Sequence, residues 1–375
     1  MNKKAVIICP YSYPSACGVW KRAFEDAKAL QSAGYDVFIF SSNIIKGTNT
    51  MSESIDSFEN IEVYRFNVLF SLGGTSMFWF PFKKLKEINP DLIHTHGFRH
   101  PHSLFSLIWG KLNRKKVVLT THAPFKKDHR RPFLLKIIDI IYDLLIARIE
   151  LRFYDGVIRI SKWEEIYLKK LGVKDSIYIP NGISKSIISK KKTLPTKPLN
   201  KIIFMGRIDP VKRVEWILDV AKFFKNKNFL IIGPVQGYKF ENNYLNEHKI
   251  PKNVKLINKT YNLDEFIENV SKSDIFVLPS IREAQSIALL EAMGLSRIVV
   301  SSNNQGAQDF LVNGKNGFLA SNLEEFKNKI SYVYENWIDM KKISYQAYET
   351  AKEFQKEKLN KKYIKFIHEK ILKTN

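Results

Sequence analysis

Short runs of β-branched residues, apolar on both faces, recur along the chain and alternate with longer segments of helical period. No other feature restricts the fold as strongly. The first series comprises AVIICP (5–10), DVFIFSS (36–42), IEVYRF (61–66), LIHTH (92–96), KVVLTTH (116–122), GVIRIS (156–161) and SIYIPNGI (176–183). Runs of this kind suit strands of a parallel sheet covered by helices on either side. After SKSIISKKKTLPTKPLN (184–200), where Lys and Pro replace any sustained apolar period, the alternation restarts with KIIFMGR (201–207), FLIIGP (229–234), VKLINK (254–259), DIFVLPS (274–280), RIVVSS (297–302) and NGFLA (316–320). Two series predict an α/β protein of two doubly wound Rossmann-like domains, residues 1–184 and 201–345, joined by a linker at 185–200. Ligands of such sheets sit at the carboxyl ends of the strands, which points to the cleft between the domains. Residues 346–375 are helical and Lys-rich, and Tyr363, Phe366, Ile367 and Ile371 at helix spacing predict a tail packing back on the first domain.

The length of 375 residues agrees with two domains at roughly 100–200 residues each. Two cysteines, Cys9 and Cys17, build no disulfide framework and favour a reducing, cytoplasmic setting. Pro10 and Pro14 end the first apolar run before it reaches signal-peptide form, and charges at Lys136, Asp139, Asp143, Arg148 and Glu150 interrupt the longest apolar stretch, so no membrane span is expected. The formal net charge of +23 has two readings: a Lys-rich solvated surface, or attraction to nucleic acid, a phospholipid surface or phosphorylated ligands.

Two segments carry chemistry. In GRIDPVKR (206–213), at the end of the second series' first strand, Asp209 suits an N-cap and Pro210 the first helical position, which puts Lys212 in the first turn. A cation there conflicts with the electropositive helix start unless an anion binds. Arg207, Lys212 and free backbone N–H groups would then form a diphosphate cradle that needs no metal. In PSIREAQSIALLEAMG (279–294), Glu283 and Glu291 on one continuous helix would stand ~12 Å apart along its axis. Glycosidase carboxylates lie roughly 5–9.5 Å apart, which disfavours a two-carboxylate hydrolase. With a helix start near Ser286, the two glutamates would grip one elongated ligand at two points, and a nucleotide sugar has that length.

These residues resemble the retaining GT-B glycosyltransferases, family 4 in particular, over nearly the whole chain. GRIDPVKR is similar to the family's GR-x4-K phosphate motif, and Glu283 with Glu291 to its Glu-x7-Glu motif; PNGI (180–183), VIRISKWE (157–164) and NGKNGFL (313–319) follow in the family's order. The resemblance implies a transferase moving a sugar from a nucleotide diphosphate donor to an acceptor hydroxyl with retained anomeric configuration, in cell-surface glycan or glycolipid synthesis, without cofactor or metal. It assigns Arg207 and Lys212 to the diphosphate and leaving group, Glu283 to donor-sugar hydroxyls and Glu291 to the ribose. Backbone N–H groups of Ala284, Gln285, Ser286 and Ile287 would face phosphate or sugar. Here the family more often has Glu-Gly-Phe-Gly, so Gln285 and Ser286 are expected to alter which donor fits. In YSYPSACGVW (11–20), Cys17 replaces the first glycine of the family's loop, and Gly18 would admit donor or acceptor phosphate. His122 matches a histidine beside the donor sugar, able to bond a hydroxyl or balance charge, and His96 matches the acceptor-side end of the preceding strand.

Six of eight histidines fall between His94 and His129, yet no carboxylate or cysteine set accompanies them in sequence, so no metal is assigned. SMFWFPFKKLK (76–86), and Lys126, Lys127, Arg130 and Arg131 beyond His122, join aromatics to cations in a manner suited to an anionic membrane. They predict a lipid-linked acceptor and an enzyme peripheral on the inner face of the plasma membrane; a saccharide acceptor in solution is the alternative. Two rival functions stay open: a GT-B nucleotide-sugar epimerase, and a non-catalytic nucleic-acid-binding protein. No nucleic-acid motif supports the latter.

Overall fold

The computed structural model describes residues 2–15, 17–45, 50–72, 76–123, 133–236 and 249–373. The chain divides into two compact units, Met1–Pro180 with Leu359–Asn375, and Asn181–Lys358.

The first unit holds strands β1 (Lys4–Ile8), β2 (Asp36–Ser42), β3 (Ile55–Phe58), β4 (Ile61–Phe66), β5 (Phe70–Leu72), β6 (Ser76–Phe78), β7 (Leu92–His96), β8 (Lys116–Thr120), β9 (Gly156–Arg159) and β10 (Ile177–Tyr178). Eight of them form one sheet in the order β10-β9-β8-β7-β1-β2-β4-β3, and only the β3–β4 pair is antiparallel. The strand order reverses between β1 and β7, which opens a crevice at their carboxyl ends. Val6, Ile7, Ile8, Ile93, Val118 and Leu119 are fully buried on the central strands, and Tyr363, Ile367 and Ile371 complete this core from the far end of the chain. The predicted basic-aromatic segment 76–86 is largely structural. β6 pairs with β5, and Trp79 is fully buried between Phe66 and His102, at ring distances of 5.3 and 5.5 Å. Phe80 and Phe82 remain exposed.

The second unit holds β11 (Lys201–Met205), β12 (Asn228–Ile232), β13 (Val254–Ile257), β14 (Ile275–Leu278), β15 (Ile298–Ser302) and β16 (Phe318–Ala320), all parallel, in the order β13-β12-β11-β14-β15-β16. Its switch point lies between β11 and β14. The expected linker belongs to this unit: Lys185–Ser189 is helical, and Ile187, Ile188 and Leu194 are buried in its core. Lysine and proline around these three apolar residues mask their burial. The second unit also runs to Lys358, past the expected boundary at 345, because Ala347, Ala351 and Phe354 pack into its core.

Candidate functional site

In the second unit the residues of interest gather where β11, β14 and β15 end. Gly206 and Arg207 follow β11, and their path depends on Gly233 after β12: a Cβ there would stand 1.7 Å from the Gly206 carbonyl oxygen. Residues 209–212 form a turn, not the start of a helix. Asp209 Oδ1 accepts from Val211 N and Lys212 N at 3.0 and 3.1 Å. The helix begins at Val214, after Arg213 in the left-handed conformation (φ 49°). The N-cap expectation at Asp209 thus fails because Val211 is claimed elsewhere: its carbonyl accepts Ile281 N at 2.8 Å and ties the turn to the segment after β14. Arg213 Nε donates to the Pro279 carbonyl at 2.7 Å, and its guanidinium lies 3.8 Å over the Trp216 ring.

This tie brings Lys212 to Glu283. Lys212 Nζ donates to Glu283 Oε1 at 2.5 Å, with both side chains about six-sevenths buried (15% and 14% exposed). Arg207 is half exposed and pairs with Asp209 Oδ2 at 3.1 Å. Two cations and Glu283 therefore converge at the strand ends. Glu291 lies on the helix Ile287–Gly294, half-buried and near enough to Tyr261 that its charge, after burial, raises the pKa of that phenol. Glu283 lies in the preceding loop and Ser286 is the N-cap, so the helix starts where the two-point grip requires. Ser286 Oγ is buried with no hydrogen-bond partner.

Two groups in this loop already have protein partners. Asn181 N donates to Gln285 Oε1 at 2.7 Å and Gln285 Nε2 donates to the Asn181 carbonyl at 3.0 Å, so both ends of this buried amide hold the PNGI segment. Ile287 N is likewise engaged, donating to the Gln285 carbonyl at 3.1 Å. Ala284 is half-buried between them and Glu283.

In the first unit, Gly18 opens the helix Gly18–Ser32, capped by Cys17, whose Sγ accepts from Trp20 N at 3.4 Å. A Cβ at Gly18 would meet nothing within 4 Å, so the space before this helix start is open. His96 ends β7. His122 follows β8 and, with Ala123, takes the left-handed conformation (φ 58° and 56°). Such a pair needs external support. Buried Glu164 supplies it by accepting from Ala123 N at 3.0 Å and from the Thr121 hydroxyl with one oxygen, and from Ile160 N and Ser161 N with the other, at 2.9 and 2.8 Å. Burial raises the Glu164 pKa to about 7 despite these bonds. Burial, then the charges of Arg22 and His100, lower that of His122 to about 3, so it is a neutral imidazole at neutral pH. That suits hydrogen bonding to a hydroxyl.

The carboxylate that the histidines lack in sequence is supplied by the fold. Asp26, on the helix after β1, meets His94 and His96, with one ligand atom of each within 4.8 Å of the others. Two of the three already have protein partners: His94 bonds the Tyr363 and Thr120 hydroxyls at 2.7 and 2.8 Å, and Asp26 accepts from Arg22 Nε at 2.8 Å.

Lys126, Lys127, Arg130 and Arg131 lie outside the described residues. The helical segment that follows, Phe133–Tyr142 continuing through Asp143–Ala147 and Arg148–Phe153, exposes Leu134, Ile138, Ile141, Leu145 and Ile149 at three- and four-residue spacing, with Arg148 and Arg152 exposed beside them. Among the described residues no helix is long and apolar enough to cross a membrane.

Comparison with known proteins places these sites in context. Residues 17–186 match the family described as Glycosyltransferase Family 4, and residues 185–350 that described as Glycosyl transferases group 1. The chain is 30% identical to an uncharacterised glycosyltransferase of Methanocaldococcus jannaschii, over 97% of each chain. It is 23% identical, over 85% of each, to the UDP-Gal:alpha-D-GlcNAc-diphosphoundecaprenol alpha-1,3-galactosyltransferase of Escherichia coli. The solved structure of Anabaena HepE in complex with UDP and glucose superposes with a TM-score of 0.71 over 97% of this chain and 98% of that one, at 16% identity, a likeness of fold.

Proposed function

Because this chain belongs to the GT-B glycosyltransferases of the group 1 and family 4 type, we propose that it is a retaining hexosyltransferase. It moves a sugar from a nucleoside diphosphate to a hydroxyl of a lipid-linked saccharide at an anionic membrane surface, in glycan or glycolipid synthesis. The observation that carries the reading is the convergence of Arg207, Lys212 and Glu283 at the switch point of the second unit. As the bond from the sugar to the β-phosphate breaks, negative charge collects on the phosphate, and two fixed cations lower that barrier without a metal ion. Glu283 holds donor-sugar hydroxyls and keeps Lys212 aimed, Glu291 holds the ribose, and neutral His122 bonds a sugar hydroxyl.

The lipid-linked acceptor is supported by the apolar stripe Leu134 to Ile149 flanked by Arg148 and Arg152, in a chain of net charge +23, and by the undecaprenol-linked substrate in the name of the E. coli relative. The test supplies UDP, GDP and ADP sugars with a saccharide diphosphopolyprenol and reads the product by mass. One donor should add one hexose to the acceptor. Full conversion of donor without acceptor would establish an epimerase instead.

A further inference from the structure

A buried string of side chains runs from His122 into the interior of the first unit. His122 Nε2 and His96 Nδ1 are 3.0 Å apart. The other His96 nitrogen, Nε2, is buried with no hydrogen-bond partner, and Asp26 Oδ2 stands 3.7 Å from it. That same oxygen accepts from Arg22 Nε at 2.8 Å, while Arg22 donates to the carbonyls of Ile179 and Pro180 at 2.8 Å each. His96, Asp26 and Arg22 are all buried.

A neutral imidazole carries one N–H, and its neighbours decide which nitrogen holds it. Burial raises the Asp26 pKa, and the bonded Arg22 guanidinium opposes that rise and favours the carboxylate; the carboxylate can only accept, so a His96 lone pair aimed at it would be repelled and an N–H attracted. This puts the His96 proton on Nε2 and leaves Nδ1 as the acceptor. The proton of the 3.0 Å contact must then come from His122 Nε2, which leaves His122 Nδ1 as a bare acceptor.

We propose that Asp26 and His96 are positioning residues that fix His122 as its Nε2–H tautomer, so that its Nδ1 accepts a hydrogen bond from a ligand hydroxyl and rejects carbonyl and phosphate oxygens. The hydroxyl as ligand rests on the sugar-transfer reading above; the tautomer does not. Glu164 holds the backbone on which this ring is mounted. A metal ion at Asp26, His94 and His96 would compete with the relay, but both His94 nitrogens are bonded to hydroxyls.

The test is nitrogen-15 NMR of the full chain with labelled histidine, resonances being assigned through His96→Asn and His122→Asn. At neutral pH both His96 and His122 should show the neutral Nε2–H pattern. The Nδ1–H pattern for His122 would overturn the proposal, and the wild-type spectrum alone decides this even if a variant fails to fold. Asp26→Asn should release the constraint, so that His122 shows both tautomers; an unchanged spectrum would contradict the relay. Titration with zinc should leave His94 and His96 unmoved, and their joint shift would make the cluster a metal site instead. Once a donor is known, Asp26→Asn should lower kcat by about 10–100-fold, the scale for losing a partner that orients an imidazole, with little change in donor KM. Failure to find a donor would count against the transferase reading and leave the spectral result standing.

Discussion

Gly306→Ala should disable catalysis while sparing the fold. Gly306 lies in the short helix Gln305–Gln308 after β15, opposite the loop that carries Glu283. A Cβ at this position would stand 2.6 Å from the Glu283 carbonyl oxygen, 2.7 Å from its Cβ and 2.9 Å from its carbonyl carbon. Non-bonded heavy atoms settle at about 3.5 Å or more, so Glu283 must retreat by nearly ~1 Å. Two of the three atoms are backbone, and no rotamer change relieves the clash. The displacement disturbs the bond between Glu283 and Lys212, 2.5 Å long. Misplacing a reacting group by ~1 Å costs about 10²-fold in rate. Overpacking costs about 1–3 kcal/mol, and replacing Gly by Ala in a helix returns up to ~1 kcal/mol. The net loss of about 2 kcal/mol or less lowers the melting temperature by roughly 4–8 °C in a unit of this size. Initial rates and melting curves on the same preparation check this. Turnover within threefold of wild type would show that Glu283 either yields without consequence or has no part in the reaction.

Arg207→Ala and Lys212→Ala should each lower kcat by about 100-fold or more, the scale for removing one stabiliser of transition-state charge; near-normal turnover in both would remove the cradle. Calorimetry with nucleoside diphosphate should show a marked loss of affinity for Glu291→Gln and a small one for Glu283→Gln, whose defect lies in turnover; equal losses would contradict the division. Leu145→Asp with Ile149→Asp should abolish salt-sensitive sedimentation with anionic vesicles, and wild-type protein that ignores such vesicles at low salt would end the membrane reading. Acid should destabilise the first unit. Burial holds His94 and His96 well below the ordinary range and His102 and His122 at about 3, so their contribution, present above an unfolded value of ~6.5, is lost as pH falls. Glu150 and Glu164, raised to about 7 by burial, act oppositely, since their contribution is present at low pH and lost as pH rises through 7. The four histidines outweigh Glu150, Glu164 and Asp26, whose pKa burial also raises, so stability falls between pH 7 and pH 5. Urea unfolding at both pH values checks it, and higher stability at pH 5 would refute the sign.

All strands of both sheets but β3 were legible, because strands buried on two faces leave apolar runs that no other element mimics at that length; KIIFM, for example, became β11, whereas the edge strand β3 has no fully buried residue. The short β5–β6 hairpin was not legible, since its residues carry no alternation and Trp79 is buried by contacts with Phe66 and His102 rather than by its own strand. At the candidate site, Lys212 and Glu283 could be singled out by residue type, but the local geometry that pairs them could not be read. Asp209 and Pro210 have the chemistry of a helix start, yet a long-range bond from Ile281 to Val211 holds them as a turn. Gln285 reads as a ligand contact, and nothing in the sequence shows that Asn181 occupies both ends of its amide. Asp26 lies far upstream of the histidines, and only the adjacency of β1 and β7 brings its helix to His96.

The claim on which the rest depends is that Arg207 and Lys212 bind the diphosphate of a nucleotide sugar. Melting curves of wild-type protein and of the double variant Arg207→Ala, Lys212→Ala, taken with UDP, GDP and ADP and with the matching nucleosides, address it directly. A ligand at 100 times its Kd stabilises by about 2.7 kcal/mol, so one diphosphate should raise the wild-type melting temperature by several degrees, its nucleoside should not, and the double variant should respond to neither. An equal shift with nucleoside and diphosphate, or an undiminished shift in the double variant, would contradict the account.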